Sequence, residues 1–162
     1  MRIVKAVGGA FVVGALAGCA ANAADQGDPM ERLAAAKQLT QRSERAAIEL
    51  LPKGDVIDIE QLSEGSFLRC SVGYVWSGNV RASLRDGMDG DGAQEKLAVR
   101  AEERGDDVRE DELLSGRRRY TITTDDGVQM LLTVWDHGTV LDIDSASPCI
   151  RLPDDFKRPR TY

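Results

Sequence analysis

The chain has 162 residues, of which 42% are hydrophobic and 30% are charged, and its 21 basic residues against 27 acidic ones give a net charge of −6. This length is typical of a single globular domain that is large enough to bury a core. A chain this acidic is a poor partner for nucleic acid or for a bare anionic membrane surface, because both would repel it.

The N-terminus has the layout of an export signal. Arg2 and Lys5 supply positive charge, an apolar run follows over residues 6–16, and no acidic residue occurs before Asp25. The run has eleven residues, whereas a permanent membrane-spanning helix needs about 20. We therefore expect this segment to direct export and then to be removed.

The apolar run ends in Leu16-Ala17-Gly18-Cys19, which resembles the lipobox of a bacterial lipoprotein. This resemblance implies a signal peptide over residues 1–18 and a mature protein that begins at a lipid-modified Cys19, with acyl chains such as palmitate. Two acyl chains suffice for stable anchoring. The small and polar residues over 19–27 then form a flexible tether. A plain secretory signal cleaved within residues 20–24 is the alternative.

The lipoprotein interpretation places the protein on the extracytoplasmic face of the cell membrane. The anchoring membrane could be the plasma membrane or an outer membrane. Removing residues 1–18 takes away two of the 21 basic residues and no acidic one, which leaves 19 against 27 and a net charge of −8. A domain this acidic would be held near the membrane by the lipid on Cys19 alone.

The chain contains three cysteines. If Cys19 carries lipid, Cys70 and Cys149 remain as a pair in an oxidising compartment, which predicts a disulfide bond between them. The two residues are far apart in the sequence and form no C-x-x-C motif, so a redox or zinc motif is not indicated.

The first predicted element after the tether is a helix. Asp28 is a suitable N-cap, Pro29 suits the first helical position, and Glu31 can reach back to the cap. The helix is expected to continue to about Leu51, because Pro52 stops it. Its uneven apolar stripe is typical of a helix that covers one face of a sheet.

The middle of the chain alternates strands with a second helix. The period changes to two over residues 67–71 and 74–84, which predicts two strands, the second half-buried. A glycine- and aspartate-rich connector follows over 86–92, and a helix is predicted over 93–104. Residues 106–112 read as a charged loop or a further turn of helix.

The last predicted elements form a three-stranded meander over residues 118–124, 128–136 and 139–145, joined by two aspartate- and glycine-containing turns. One apolar face is predicted to consist of Tyr120, Ile122, Met130, Leu132, Val134, Leu141 and Ile143. Leu131 and Trp135 fall on the opposite face.

These elements predict an α+β domain in the order α-β-β-α-β-β-β. It would have two layers, with helices on one face of an antiparallel sheet of about five strands. The domain is expected to cover residues 28–152, and residues 153–162 are expected to be a loose C-terminal tail because they are charged and broken by proline.

The segment Cys70-Ser71-Val72-Gly73-Tyr74-Val75-Trp76-Ser77-Gly78, followed downstream by Ser147-Pro148-Cys149, is similar to small uncharacterised lipoproteins of actinobacteria. In that group an early cysteine, an aromatic strand and a late Ser-Pro-Cys accompany a lipobox. The resemblance covers most of residues 16–150. It implies a disulfide-tied α+β domain at the cell surface, and it carries over no catalytic residue.

Residues that could support catalysis or metal binding are few. His137 is the only histidine, and it lies in a predicted turn, so neither a nucleophilic triad nor a conventional zinc site is indicated. Aligning the acidic connector with a calcium loop puts Gly87 and Ala98 where carboxylates are required. Asp142 and Asp144 share a strand face and leave a carboxylate-dependent hydrolase as an alternative. We expect no metal, no cofactor and no enzymatic activity.

Two groups of residues are candidates for a binding surface. Tyr74, Trp76 and Trp135 could share the sheet face away from the helices, with packing in the core as the alternative. The basic run Arg117, Arg118 and Arg119 could contact an anion or a lipid headgroup, or could pair with nearby acidic residues.

The sequence therefore predicts a lipid-anchored envelope protein without catalytic activity that binds another envelope component, an unknown protein or ligand. A small inhibitor or immunity-type protein is the main alternative.

Overall fold

The structure is a computed structural model that describes residues 27–153, 155–157, 159 and 162. The predicted signal peptide and Cys19 lie outside the described residues. None of the helices in the described part of the chain is long and apolar enough to cross a membrane.

Two helices and seven strands make up the domain, which confirms the predicted α+β class. In chain order they are α1 (Pro29–Ile48), β1 (Val56–Gln61), β2 (Ser66–Cys70), β3 (Gly73–Leu84), α2 (Gly90–Arg104), β4 (Asp107–Glu112), β5 (Arg118–Thr123), β6 (Gln129–Trp135) and β7 (Val140–Ala146).

All seven strands belong to one antiparallel sheet in the order β1-β3-β7-β6-β5-β4, with β2 also paired to β3. β2 pairs with the first half of β3 and β1 with its second half, while β7 occupies the other edge of β3. β1 and β2 therefore form one interrupted edge strand. The sheet has more strands than the predicted five.

The two strands absent from the predicted order are edge strands. β1 was not predicted, and β4 replaces the charged loop expected over residues 106–112. Val108 is the only apolar residue of β4, and the other five side chains are exposed. The strand therefore has no repeated alternation of apolar and polar residues and gives no period-two signal. In β1, by contrast, Ile57 and Ile59 do alternate with Asp58 and Glu60.

Both helices begin at aspartate caps. The Asp28 carboxylate accepts a hydrogen bond from the Met30 N–H, as predicted, and α1 ends three residues before Leu51. Asp89 caps α2 in the same way, so α2 begins earlier than residue 93. α2 ends at Gly105, whose φ of 106° is the left-handed conformation that favours glycine.

The core lies between the helices and one face of the sheet. Six members of the predicted apolar face are buried there, and Val134 packs against them. A smaller second cluster, formed by Leu33, Phe67, Trp76, Ile150 and Leu152, lies beneath the start of α1. The predicted disulfide between Cys70 and Cys149 is present beside it, with the two Cα atoms 6.1 Å apart.

The described end of the C-terminal segment is held against this second cluster. The Trp76 indole N–H donates to the Tyr162 carbonyl over 2.8 Å, and the Tyr162 and Phe67 rings are 6.1 Å apart. The expectation of a loose tail is therefore not met at its last residue.

Candidate ligand-binding cleft

A cleft of about 1120 Å³ opens at one end of the sheet. Three parts of the chain line it: the start of α2 with the connector before it, the ends of β4 and β5 around their hairpin, and the turn between β6 and β7. This volume is slightly above the range of about 300–1,000 Å³ that is typical of small-molecule sites.

Close backbone packing at a glycine brings two of these parts together. A Cβ atom on Gly90, the first residue of α2, would collide with the carbonyl oxygen of Gly138 in the β6–β7 turn. Only glycine fits at this position. The start of α2 can therefore rest directly on the turn, and Asp89 and Asp91 lie on the cleft wall beside it.

The turn that completes this wall has a strained backbone. Asp136 and His137 both adopt positive φ, 49° and 57°, before Gly138 at 93°. Each non-glycine residue in this conformation costs on the order of 1 kcal/mol. The Thr139 hydroxyl and N–H both donate to the Asp136 carbonyl, which helps to hold the turn. His137 is thus an exposed turn residue at the cleft.

Trp135 provides an aromatic wall on the face of the sheet away from the helices. Its indole N–H donates to the Thr133 hydroxyl over 2.9 Å, and the ring is 40% exposed. The Arg117 guanidinium lies over the ring, 4.4 Å from its centre, and donates to the Val134 carbonyl over 3.2 Å. The ring is therefore fixed in orientation and already carries one cation.

The other two arginines of the basic run pair with acidic residues. Arg118 lies 3.3 Å from Glu95 and 3.5 Å from Glu110. Arg119 forms two hydrogen bonds with Asp111 across β4 and β5, and these bonds lower the pKa of the Asp111 carboxyl. Arg118 and Arg119 therefore pair with nearby acidic residues, which was one of the two predicted alternatives. Arg117 instead stacks on Trp135.

Negative charge dominates the cleft. Six carboxylates line it, against the two guanidinium groups of Arg117 and Arg118, so the lining carries a net charge of −4. The carboxylates belong to Asp89, Asp91, Glu110, Asp111, Glu112 and Asp136. A recess with an excess of one charge concentrates ions of the opposite sign. Within the described ranges, no three His, Cys, Asp or Glu side chains converge to hold a metal ion.

The three aromatics of the candidate surface do not come together, and Trp76 and Tyr74 follow the alternative of packing in the core. Trp76 is fully buried, and Tyr74 packs with it on the helix side, whereas Trp135 lies on the opposite face. The sequence carried a signal for this separation. Tyr74 and Trp76 stand at even-numbered positions of β3, as do the buried residues Val80, Ala82 and Leu84. Alternate residues of a strand point to the same face, so these side chains all face the helices.

Asp142 and Asp144 share a sheet face, as predicted, but they lie outside the cleft. The Arg81 guanidinium donates to Asp142 over 2.8 Å, and the Asn79 amide donates to both carboxylates. Asp142 is only 4% exposed beneath these groups. A carboxylate held in this way gives no support to the hydrolase alternative.

One buried acid was not singled out from the sequence. Glu44 on α1 is fully buried and accepts hydrogen bonds from the Ser145 hydroxyl and from the Gln61 amide, the latter over 2.5 Å. Burial raises the pKa of the Glu44 carboxyl. Its carboxylate, carried by α1, contacts Gln61 of β1 and Ser145 of β7 outside the cleft, so it joins the helix layer to the sheet.

The cleft thus unites features that are separate in the sequence: the acidic connector, the charged strand β4, the first arginines of the basic run and the histidine turn. No known protein family matches the chain, and neither a curated protein nor a solved structure similar to it was found.

Proposed function

We propose that this protein is a lipid-anchored cell-envelope binding protein without catalytic activity, and that its cleft receives a positively charged group of another envelope component. The observation that carries the proposal is the cleft itself, which combines a net charge of −4 with one exposed indole ring. The lipobox at Cys19 supports the anchored location.

The chemistry of the lining favours a flexible cation over an anion. An anionic ligand would meet six carboxylates and only two cations, one of which stacks on Trp135 while the other pairs with acids. A primary ammonium group gains from the negative potential and from contact with an aromatic face. Free polyamines and lysine side chains of a partner protein share this chemistry.

Tryptophan fluorescence offers a direct test, because the chain has two tryptophans and Trp76 is fully buried while Trp135 is exposed in the cleft. Titration of the full chain with tetralysine or spermidine should change the emission in a saturable way, and tetraglutamate should not. In Trp135→Phe the emission change should disappear while calorimetric binding of tetralysine persists. Equal responses to tetralysine and tetraglutamate would refute the proposal, as would the absence of any response.

The anchor is tested separately in cells. Cys19→Ala should release the protein from the membrane fraction or leave it as an unprocessed precursor, because no acyl chain can then be attached. Unchanged membrane association of that variant would contradict lipid anchoring while leaving the binding cleft untouched.

A further inference from the structure

The two outer strands of the sheet differ in how their free edges are protected. Five of the six residues of β4 are charged, and none of its side chains is an exposed large hydrophobic residue. On β1, by contrast, Ile57 is 65% exposed and Ile59 is 39% exposed, and Leu62 just beyond the strand is 52% exposed. Charge is a common device against unwanted pairing at a sheet edge, and β1 is less protected by it than β4.

The outer side of β1 has no partner strand among the described residues. We propose that this edge is an interaction surface that binds an extended segment of a partner protein, which adds to the sheet as an antiparallel or parallel strand with alternating apolar and basic side chains. This proposal is independent of the cleft, which is lined in part by β4, the outer strand at the opposite edge of the sheet.

The side chains of β1 specify the character of that segment. Ile59 pairs with Ala82 and so faces the helix side of the sheet, whereas Asp58 and Glu60 pair with Ser83 and Arg81 and face the other side. An added strand would place its own side chains directly beside these residues. Apolar contact is favourable next to Ile59, and a lysine or arginine is favourable next to Asp58 and Glu60.

A second copy of this chain fits the same edge poorly. In an antiparallel pair centred on Ile59, Asp58 of each copy would lie opposite Glu60 of the other. If the pair were centred on Asp58, the two Asp58 carboxylates would face each other. Directly opposed like charges destabilise a strand pair, so charge complementarity favours a basic partner over self-association.

The chain itself provides a precedent for strand addition on this side of the sheet. At Gly65, in the gap between β1 and β2, the main-chain N–H donates to the Tyr162 carbonyl over 3.0 Å, and the Tyr162 N–H donates back over 3.2 Å. This reciprocal pattern is that of neighbouring antiparallel strands. The interrupted edge therefore accepts backbone from outside the sheet close to the proposed surface.

Hydrogen–deuterium exchange of the full chain tests the proposal. An alternating valine–lysine hexapeptide should slow amide exchange over residues 56–61 at least about three-fold, and a valine–glutamate hexapeptide should not. In Asp58→Lys with Glu60→Lys the preference should reverse. The matched control, Glu102→Lys with Glu103→Lys on the exposed end of α2, should keep the original preference.

Three results would overturn it. The first is no slowing over residues 56–61 with either peptide. The second is slowing at the cleft segments alone, which would place the peptide there instead. The third is slowing without peptide that grows with protein concentration, which would identify a second copy as the occupant.

Discussion

The guanidinium of Arg117 lies 4.4 Å from the centre of the Trp135 ring, on the wall of a cleft whose remaining charges are mostly negative. The protein's own cation therefore occupies the aromatic surface that a cationic ligand would use. Ligand and Arg117 should compete for the ring, and the two charges should repel each other.

Replacing Arg117 with alanine should strengthen the binding of tetralysine by about three-fold or more, because a competing cation is removed from the ring. The free energy of unfolding should change by less than about 1 kcal/mol, since Arg117 is exposed. Arg109→Ala is the control with the same charge change, because Arg109 is exposed and is not part of the cleft lining. Equal gains in both variants would show that net charge, and not the ring, determines the effect.

Glu44 should make stability depend on pH in a characteristic direction. Burial raises the pKa of its carboxyl above the ordinary 4.5, so the folded state holds the proton more tightly than the unfolded state. The contribution of Glu44 to stability is therefore most favourable below about pH 4.5 and is lost as the pH rises through the raised pKa.

Glu44→Gln should remove this dependence. The difference in unfolding free energy between the variant and the parent should move in favour of the variant as pH rises, when measured by urea denaturation across the acidic and neutral range. Glu102→Gln, an exposed acid on α2, should show no such trend. A pH-independent difference for Glu44→Gln would contradict the assigned role of the buried carboxyl.

The disulfide should contribute substantially to stability, because it closes a loop between residues that are 79 positions apart. Reduction, or Cys70→Ser with Cys149→Ser, should lower the free energy of unfolding by about 2–4 kcal/mol. Denaturation with and without reductant measures this loss. The double variant should be insensitive to reductant, and a parent protein that is also insensitive would show that the bond does not form.

Gly90→Ala tests the backbone contact that shapes the cleft. The added methyl group meets the Gly138 carbonyl, so the helix start or the turn must move, at a cost of about 1–3 kcal/mol. Tetralysine binding should weaken as well. In Gly92→Ala the nearest atom is the flexible Asp89 carboxylate, so that control should lose less of both stability and binding.

Several elements were predictable from the sequence because their signals are local. Asp28 and Gly105 mark helix ends through their own backbone or side-chain chemistry, and the meander over β5, β6 and β7 shows its buried face in its alternation. β4 was missed because Val108 is its only apolar residue, so it shows no alternation. In β1, Ile57 and Ile59 do alternate with Asp58 and Glu60, but this short signal was given no weight. For Trp76 the sequence left a surface position and core packing both open, and the structure shows core packing.

The cleft was not predictable as a unit. Its walls come from residues as far apart as Met88 and Gly138, and they meet only because the sheet order places β6 between β5 and β7 while α2 crosses above. The sequence did indicate Arg117, Trp135 and His137 individually. It contained no sign that they share one recess with the acidic connector.

Reversal of the cleft charge tests the central claim most directly. Asp91→Lys with Glu112→Lys would change the charge of the lining from −4 to 0, by replacing two of its six carboxylates with ammonium groups. Calorimetric titration should show tetralysine binding weakened by at least about ten-fold and a measurable gain in tetraglutamate binding. If the double variant binds tetralysine as tightly as the parent protein does, the cleft is not the cation site.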